Sequence, residues 1–107
     1  MSEIIEITSA EQFEKELNTD VPVVVDFFAT WCNPCRLQSP ILHDFKEEMG
    51  DKVKVIKVDV DLNEKIAYDL RISSIPALYV FKNGEVKEKT IGLTPKANLA
   101  EMVIKYI

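Results

Sequence analysis

The chain has 107 residues, 47% of them hydrophobic, and a net charge of −5. That is enough for one domain, residues 1–107, with a modest core, and too little for two. The acidic balance excludes a basic face for nucleic acid or for anionic lipid, and no apolar run reaches the roughly 18 residues that span a bilayer.

The first twenty residues, Met1 to Asp20, carry neither a basic n-region nor an apolar h-region, so no secretory signal is expected and the chain is read as cytoplasmic. Ile4 to Ile7 is a short strand candidate. Ser9 then caps a helix with Gln12 as a capping-box partner, and Phe13 and Leu17 share its buried stripe. Pro22 to Phe28 is almost continuously apolar and β-branched, the pattern of a strand covered on both faces. A helix follows from Pro34 to Met49, with Gly50 as its stop. Pro34 suits a first helical turn, and Pro40 should bend the helix.

Val53 to Val60 alternates as a second long strand, and Asn63 to Leu70 has a short helical pattern. Ala77 to Phe81, the Asn83-Gly84 turn and Val86 to Ile91 predict a hairpin. Thr94 caps a last helix with Pro95 at its first position, and Leu99, Met102, Val103 and Tyr106 form its apolar stripe. The order is βαβαβαββα. The first two strand-helix-strand passages predict parallel neighbours, and the hairpin an antiparallel edge. No repeat, linker or low-complexity segment interrupts it.

The only two cysteines, Cys32 and Cys35, sit three apart where an apolar strand gives way to a helix. At that spacing they can close a small disulfide ring with little chain movement. Free N–H groups and the dipole at a helix start favour a thiolate, so the pair is read as a dithiol redox centre. A tetrahedral zinc site needs four ligands, and the chain adds only His43 to the two cysteines, so no metal and no other cofactor is expected. His43 is given no role, and Asp59-Val60-Asp61 is read as a solvated strand end. Asp26 interrupts an apolar strand. Its burial should raise its pKa and suit it to accept a proton.

The segment Asp26-Phe27-Phe28-Ala29-x-Trp31-Cys32-x-Pro34-Cys35 resembles the active-site segment of the thioredoxin family, and Pro40, Lys57, Ile75-Pro76, Gly84 and Gly92 recur at that family's spacing. The resemblance covers nearly the whole chain. It implies an α/β fold with a central mixed sheet of about five strands flanked by four helices. It also implies a monomeric protein disulfide reductase, recharged by an external thioredoxin reductase or equivalent donor, acting on protein disulfides. In this reading Cys32 attacks, Cys35 resolves, Asp26 manages the proton beside Lys57, and Pro34 restrains the ring. The Ile75-Pro76 bond is implied to be cis and to face the disulfide. Trp31, Val60, Ile75, Pro76, Gly92 and Leu93 form an apolar collar for substrate.

Three residues depart from the family pattern: Asn33 where glycine is usual, Arg36 where lysine is common, and Phe28 where tryptophan is frequent. Asn33 is a candidate for redox tuning. Whether it donates to a sulfur or restricts the backbone, it is expected to favour the reduced form. The alternatives are a disulfide oxidase or isomerase of the same fold, and a non-catalytic binding module.

Overall fold

The computed structural model describes residues 3–107. Strand β1 (Ile4–Glu6) leads into helix α1 (Ala10–Leu17). Ser9 Oγ accepts from the Gln12 amide at 3.1 Å, while the Gln12 side chain reaches back to the Thr8 amide at 2.7 Å. The expected capping box is therefore displaced by one residue on its return arm.

Strand β2 (Val23–Phe28), helix α2 (Asn33–Met49) and strand β3 (Lys54–Asp59) follow. Helix α2 continues through Pro40 as one element, and a single 3-10 turn over Gly50–Lys52 closes it. Buried Lys46 binds the Gly50 and Val53 carbonyls at 2.8 Å each, satisfying acceptors at that helix end. Helix α3 (Glu64–Asp69), strands β4 (Ala77–Lys82) and β5 (Glu85–Ile91), and helix α4 (Lys96–Ile104) complete the chain. Asn83 and Gly84 take φ of 54° and 79°, the two positive values that an Asn-Gly hairpin turn requires.

The strands form one mixed sheet in the order β1-β3-β2-β4-β5. The expected parallel pairing of β1 with β2 is not found. Both strands pair in parallel with β3, which lies between them. The antiparallel part also begins earlier than expected, because β4 pairs antiparallel with β2 as well as with β5.

The last helix differs from the sequence reading too. Pro95 is extended, with ψ of 157°, and its carbonyl accepts from Asn98 and Leu99, so Pro95 itself is the cap. Thr94 is buried one residue earlier, with its hydroxyl donated to the Gly92 carbonyl at 3.0 Å.

Successive strand residues face opposite sides of the sheet. Val23, Val25 and Phe27 pack with Phe13, Leu17 and Ile66 on the α1 and α3 side. Val24 packs with Val55, Leu78, Leu42, Phe45, Leu99 and Val103 on the α2 and α4 side. Asp26 falls two residues after Val24, so the alternation aims a carboxyl group at the side where α2 begins.

Candidate active site

The chain leaves β2 at Phe28 and enters α2 at Asn33, and this crossing places Cys32. Cys32 is the helix N-cap, with φ of −90° and ψ of 110°. Its Sγ accepts from the Cys35 amide at 3.2 Å, the place a serine oxygen takes in an ordinary cap. Its carbonyl accepts from Arg36 at 3.3 Å, the first bond of the helix. Pro34 lies in the first turn, where its missing N–H costs no helix hydrogen bond. The Arg36 guanidinium donates to the Thr30 carbonyl at 2.9 Å and braces the crossing.

Cys32 and Cys35 form a disulfide, with Cα atoms 5.3 Å apart. The two residues are each only 4% exposed. Burial does not separate the two thiols. Cys32 and Cys35 form one apolar cluster with Ala29, and Phe28, Val60 and Ile75 pack against that cluster. What distinguishes them is position: Cys32 stands outside the helix as its cap, and Cys35 inside its first turn. A groove of about 390 Å³ beside Cys35 is bordered by Phe28, Arg36, Ser39 and Lys57.

Asp26 is fully buried, and neither carboxyl oxygen has a hydrogen-bond partner among the described residues. Burial pushes its pKa from the ordinary 3.8 up to about 7, with the Lys57 charge opposing that rise. Lys57 is opposite Asp26 in the β2–β3 register. Its Nζ lies 4.5 Å from the centre of the Phe28 ring and 3.5 Å from Ser39 Oγ, on the groove side.

The collar residues are brought together only in part. Val60 is fixed by its amide to the Phe28 carbonyl at 2.9 Å, and Val60 and Ile75 pack against the cluster that holds the cysteines. The Ile75-Pro76 bond is cis. The Pro76 carbonyl accepts from the Gly92 amide at 2.7 Å, which brings Gly92 to the same edge. Leu93 follows, with 46% of its surface exposed. Trp31 is 67% exposed, and its indole N–H donates to Asp61 Oδ2 at 2.8 Å. Asn33 is exposed and its side chain makes no hydrogen bond among the described residues. His43 is exposed on α2.

Asp59 and Asp61, read from the sequence as part of a solvated strand end, form a turn that reaches the site. Asp59 is buried, and its Oδ1 accepts from the amides of Asp61 and Leu62 at 2.9 and 3.3 Å. That turn delivers Asp61 to Trp31, so the acidic stretch is not merely a solvated strand end. The Asp-x-Asp-x-Asn spacing, with its propensity for side-chain-to-backbone turns, is the signal that was available. Among the described residues no group of three His, Cys, Asp or Glu side chains is placed to hold a metal ion, and no helix is long and apolar enough to cross a membrane.

A family model described as thioredoxin matches residues 4–105. The chain is similar to the thioredoxin of Listeria monocytogenes, 44% identical over 102 residues that cover 95% of this chain and 97% of that one. It is similar to the thioredoxin of Pyropia yezoensis, 41% identical over 104 residues and 97% of both chains. Among solved structures, the thioredoxin of Malassezia sympodialis superposes with a TM-score of 0.89 at 34% identity, over 98% of this chain and 92% of that one.

Proposed function

Because the chain belongs to the thioredoxin family of thiol-disulfide oxidoreductases, we propose that its protein disulfide reductase activity runs through a fixed division of labour around Cys32. The single observation that carries the reading is the disulfide at the start of α2, with Cys32 as cap and Cys35 in the first turn. In the dithiol form the Cys32 thiolate attacks one sulfur of a target disulfide. A mixed disulfide forms and one target thiolate leaves. Cys35 then loses its proton and attacks the Cys32 sulfur. The Cys32–Cys35 disulfide forms and the second target thiolate leaves. Two electrons pass to the target, whose two leaving thiolates take up protons from Asp26 and solvent.

The Cys35 amide and the α2 dipole support the Cys32 thiolate. Asp26 is the proton acceptor for Cys35, because an acid with a pKa of about 7 can both take and return a proton near neutrality. Lys57 holds a positive charge at the edge of the groove beside Cys35. Pro34 fixes φ between the thiols. Val60, Ile75, Pro76, Gly92, Leu93 and Trp31 form the surface for the target. No backbone hydrogen bond among the described residues uses Ile75, so its N–H and carbonyl are available to an extended target segment. A separate reductase recharges the disulfide, since no dinucleotide-binding glycine pattern is present in the sequence. A single domain working as a monomer in the cytoplasm, as an electron carrier without bound cofactor, completes the reading.

The direct test is acceleration of insulin disulfide reduction by dithiothreitol. A rate no greater than that of dithiothreitol alone would end the proposal. In the reduced protein, brief iodoacetamide treatment at neutral pH is expected to label Cys32 at least about tenfold faster than Cys35, read by peptide mass spectrometry. Faster labelling of Cys35 would reverse the two roles.

The Asn33 side chain is exposed and makes no hydrogen bond among the described residues in the disulfide form. Its backbone is more restricted than that of glycine, and restriction lowers the entropy of the more open dithiol form, which favours the disulfide. Asn33→Gly should make the protein less reducing. A backbone effect of about 0.4–1 kcal/mol corresponds to roughly 10–20 mV for a two-electron couple. Titration of both proteins in one glutathione series measures it, and an unchanged or more negative mutant potential contradicts it.

A further inference from the structure

Gln38 lies on α2 three residues after Cys35 and has no solvent exposure at all. A primary amide carries two donors and an acceptor, and burying them unpaired is costly. Both ends of this one are used on a single residue 56 positions away. Gln38 Oε1 accepts from the Thr94 amide at 2.7 Å, and Gln38 Nε2 donates to the Thr94 carbonyl at 2.9 Å. The side chain thus pairs with the Thr94 backbone at two points, as a neighbouring strand would.

From Thr94 the bonds continue. Its hydroxyl donates to the Gly92 carbonyl at 3.0 Å, and the Gly92 amide donates to the Pro76 carbonyl at 2.7 Å. Gly92 has φ of 91°, which glycine adopts without strain but does not by itself select, so the bonds to Thr94 and Pro76 fix the segment's shape. Leu93 lies between Gly92 and Thr94 and is 46% exposed. Helix α2, which carries both cysteines, is therefore joined through Gln38 to the loop that presents Gly92 and Leu93.

We propose that Gln38 is a positioning residue that holds the Gly92–Thr94 loop preformed for docking of protein disulfides, and so sets affinity for large targets without touching sulfur exchange. The proposal rests on reading Gly92 and Leu93 as target-contacting residues. A preformed loop spares the target the cost of ordering it. A small disulfide reagent needs only the sulfurs and gains nothing from the loop. Apolar residues at position 38 would fill the same space and leave the Thr94 amide and carbonyl buried without partners, and the loop would open to recover them from water.

The test compares Gln38→Met with the parent protein in two reactions: reduction of insulin, resolved into kcat and KM, and reduction of 5,5′-dithiobis(2-nitrobenzoate). The expected result is a KM for insulin raised about tenfold, with kcat and the small-reagent rate within about twofold. Amide hydrogen exchange at Thr94 and Gly92 should quicken at least tenfold in the same protein. Thr94→Val, which deletes only the bond to Gly92, should raise KM to a lesser degree, and it carries the test if Gln38→Met does not fold. Leu93→Ser separates the proposal from the reading beneath it. If Leu93→Ser raises KM and the Gln38 and Thr94 variants do not, the positioning role is wrong and the docking surface stands. If Leu93→Ser changes nothing, the docking surface itself is wrong. An equal loss toward insulin and the small reagent also overturns the proposal, because Gln38 would then act on the sulfur centre through α2.

Discussion

Cys32→Ser is expected to reduce insulin no faster than dithiothreitol alone, whereas Cys35→Ser should complete half a turnover and stop as a covalent adduct. Exchange requires a thiolate, and a serine hydroxyl at the α2 cap does not ionise in the accessible pH range or accept a sulfur bond. Without Cys32 there is no mixed disulfide. Without Cys35 the mixed disulfide forms, and no internal thiol reaches the Cys32 sulfur. Both outcomes follow from the placement of Cys32 outside the helix and Cys35 within its first turn. Intact mass after mixing with a disulfide-bonded target reads the difference. The Cys35→Ser protein should gain the mass of one target thiol, and dithiothreitol should remove it. An adduct captured by the Cys32→Ser protein through Cys35 would reverse the mechanism. Loss of the adduct in both variants would remove the mixed-disulfide route altogether.

Asp26→Ala should stabilise the protein in a pH-dependent way while slowing it. The native carboxyl holds its proton up to a pKa of about 7, against 3.8 in an ordinary setting. The folded state therefore binds more protons than the unfolded state between these values, and stability falls as pH rises through that window. Below pH 3.8 both states are protonated and Asp26 carries no ionic penalty. Above about pH 7 the full penalty applies, about three pH units or about 4 kcal/mol at 1.36 kcal/mol per unit.

Alanine removes that penalty and leaves a small cavity. The expected gain is about 2–4 kcal/mol at pH 9, falling to near zero or slightly below at pH 4. Urea unfolding of both proteins across this range, with unchanged m-values, measures it. A stability difference that does not vary between pH 5 and pH 9 would show that Asp26 is not a desolvated acid. In the insulin assay the variant should be slower by about tenfold or more at pH 7, since Cys35 loses its proton acceptor. Parent-like turnover across pH 6–8 would remove Asp26 from the mechanism.

Much of the site was legible in the chain because its signals are local. Two cysteines three apart at a strand-to-helix junction, Pro34 in the first turn, and an acid inside Val23-Val24-Val25-Asp26-Phe27-Phe28 each act over a few residues. Strand and helix periodicity predicted every strand and helix to within a few residues. The Asn83-Gly84 turn was readable for the same reason, since its two positive φ values are a property of those residues. The cis state of Ile75-Pro76 was implied only by resemblance.

Local signals in the chain were enough to nominate the candidate reacting groups and the elements that carry them. Tertiary structure alone decided how distant segments meet. It set β3 between β1 and β2, since strand order depends on which faces the helices cover and not on any strand's own pattern. It buried Cys32 as deeply as Cys35, in one cluster with Ala29 against which Phe28, Val60 and Ile75 pack. It also moved the α4 cap from Thr94 to Pro95, because the Thr94 amide and carbonyl are engaged by Gln38. The Trp31–Asp61 and Gln38–Thr94 bonds span 30 and 56 positions. Local patterning reports only neighbours one to four residues apart, so bonds of that length become visible once the sheet and helices have brought their partners within reach.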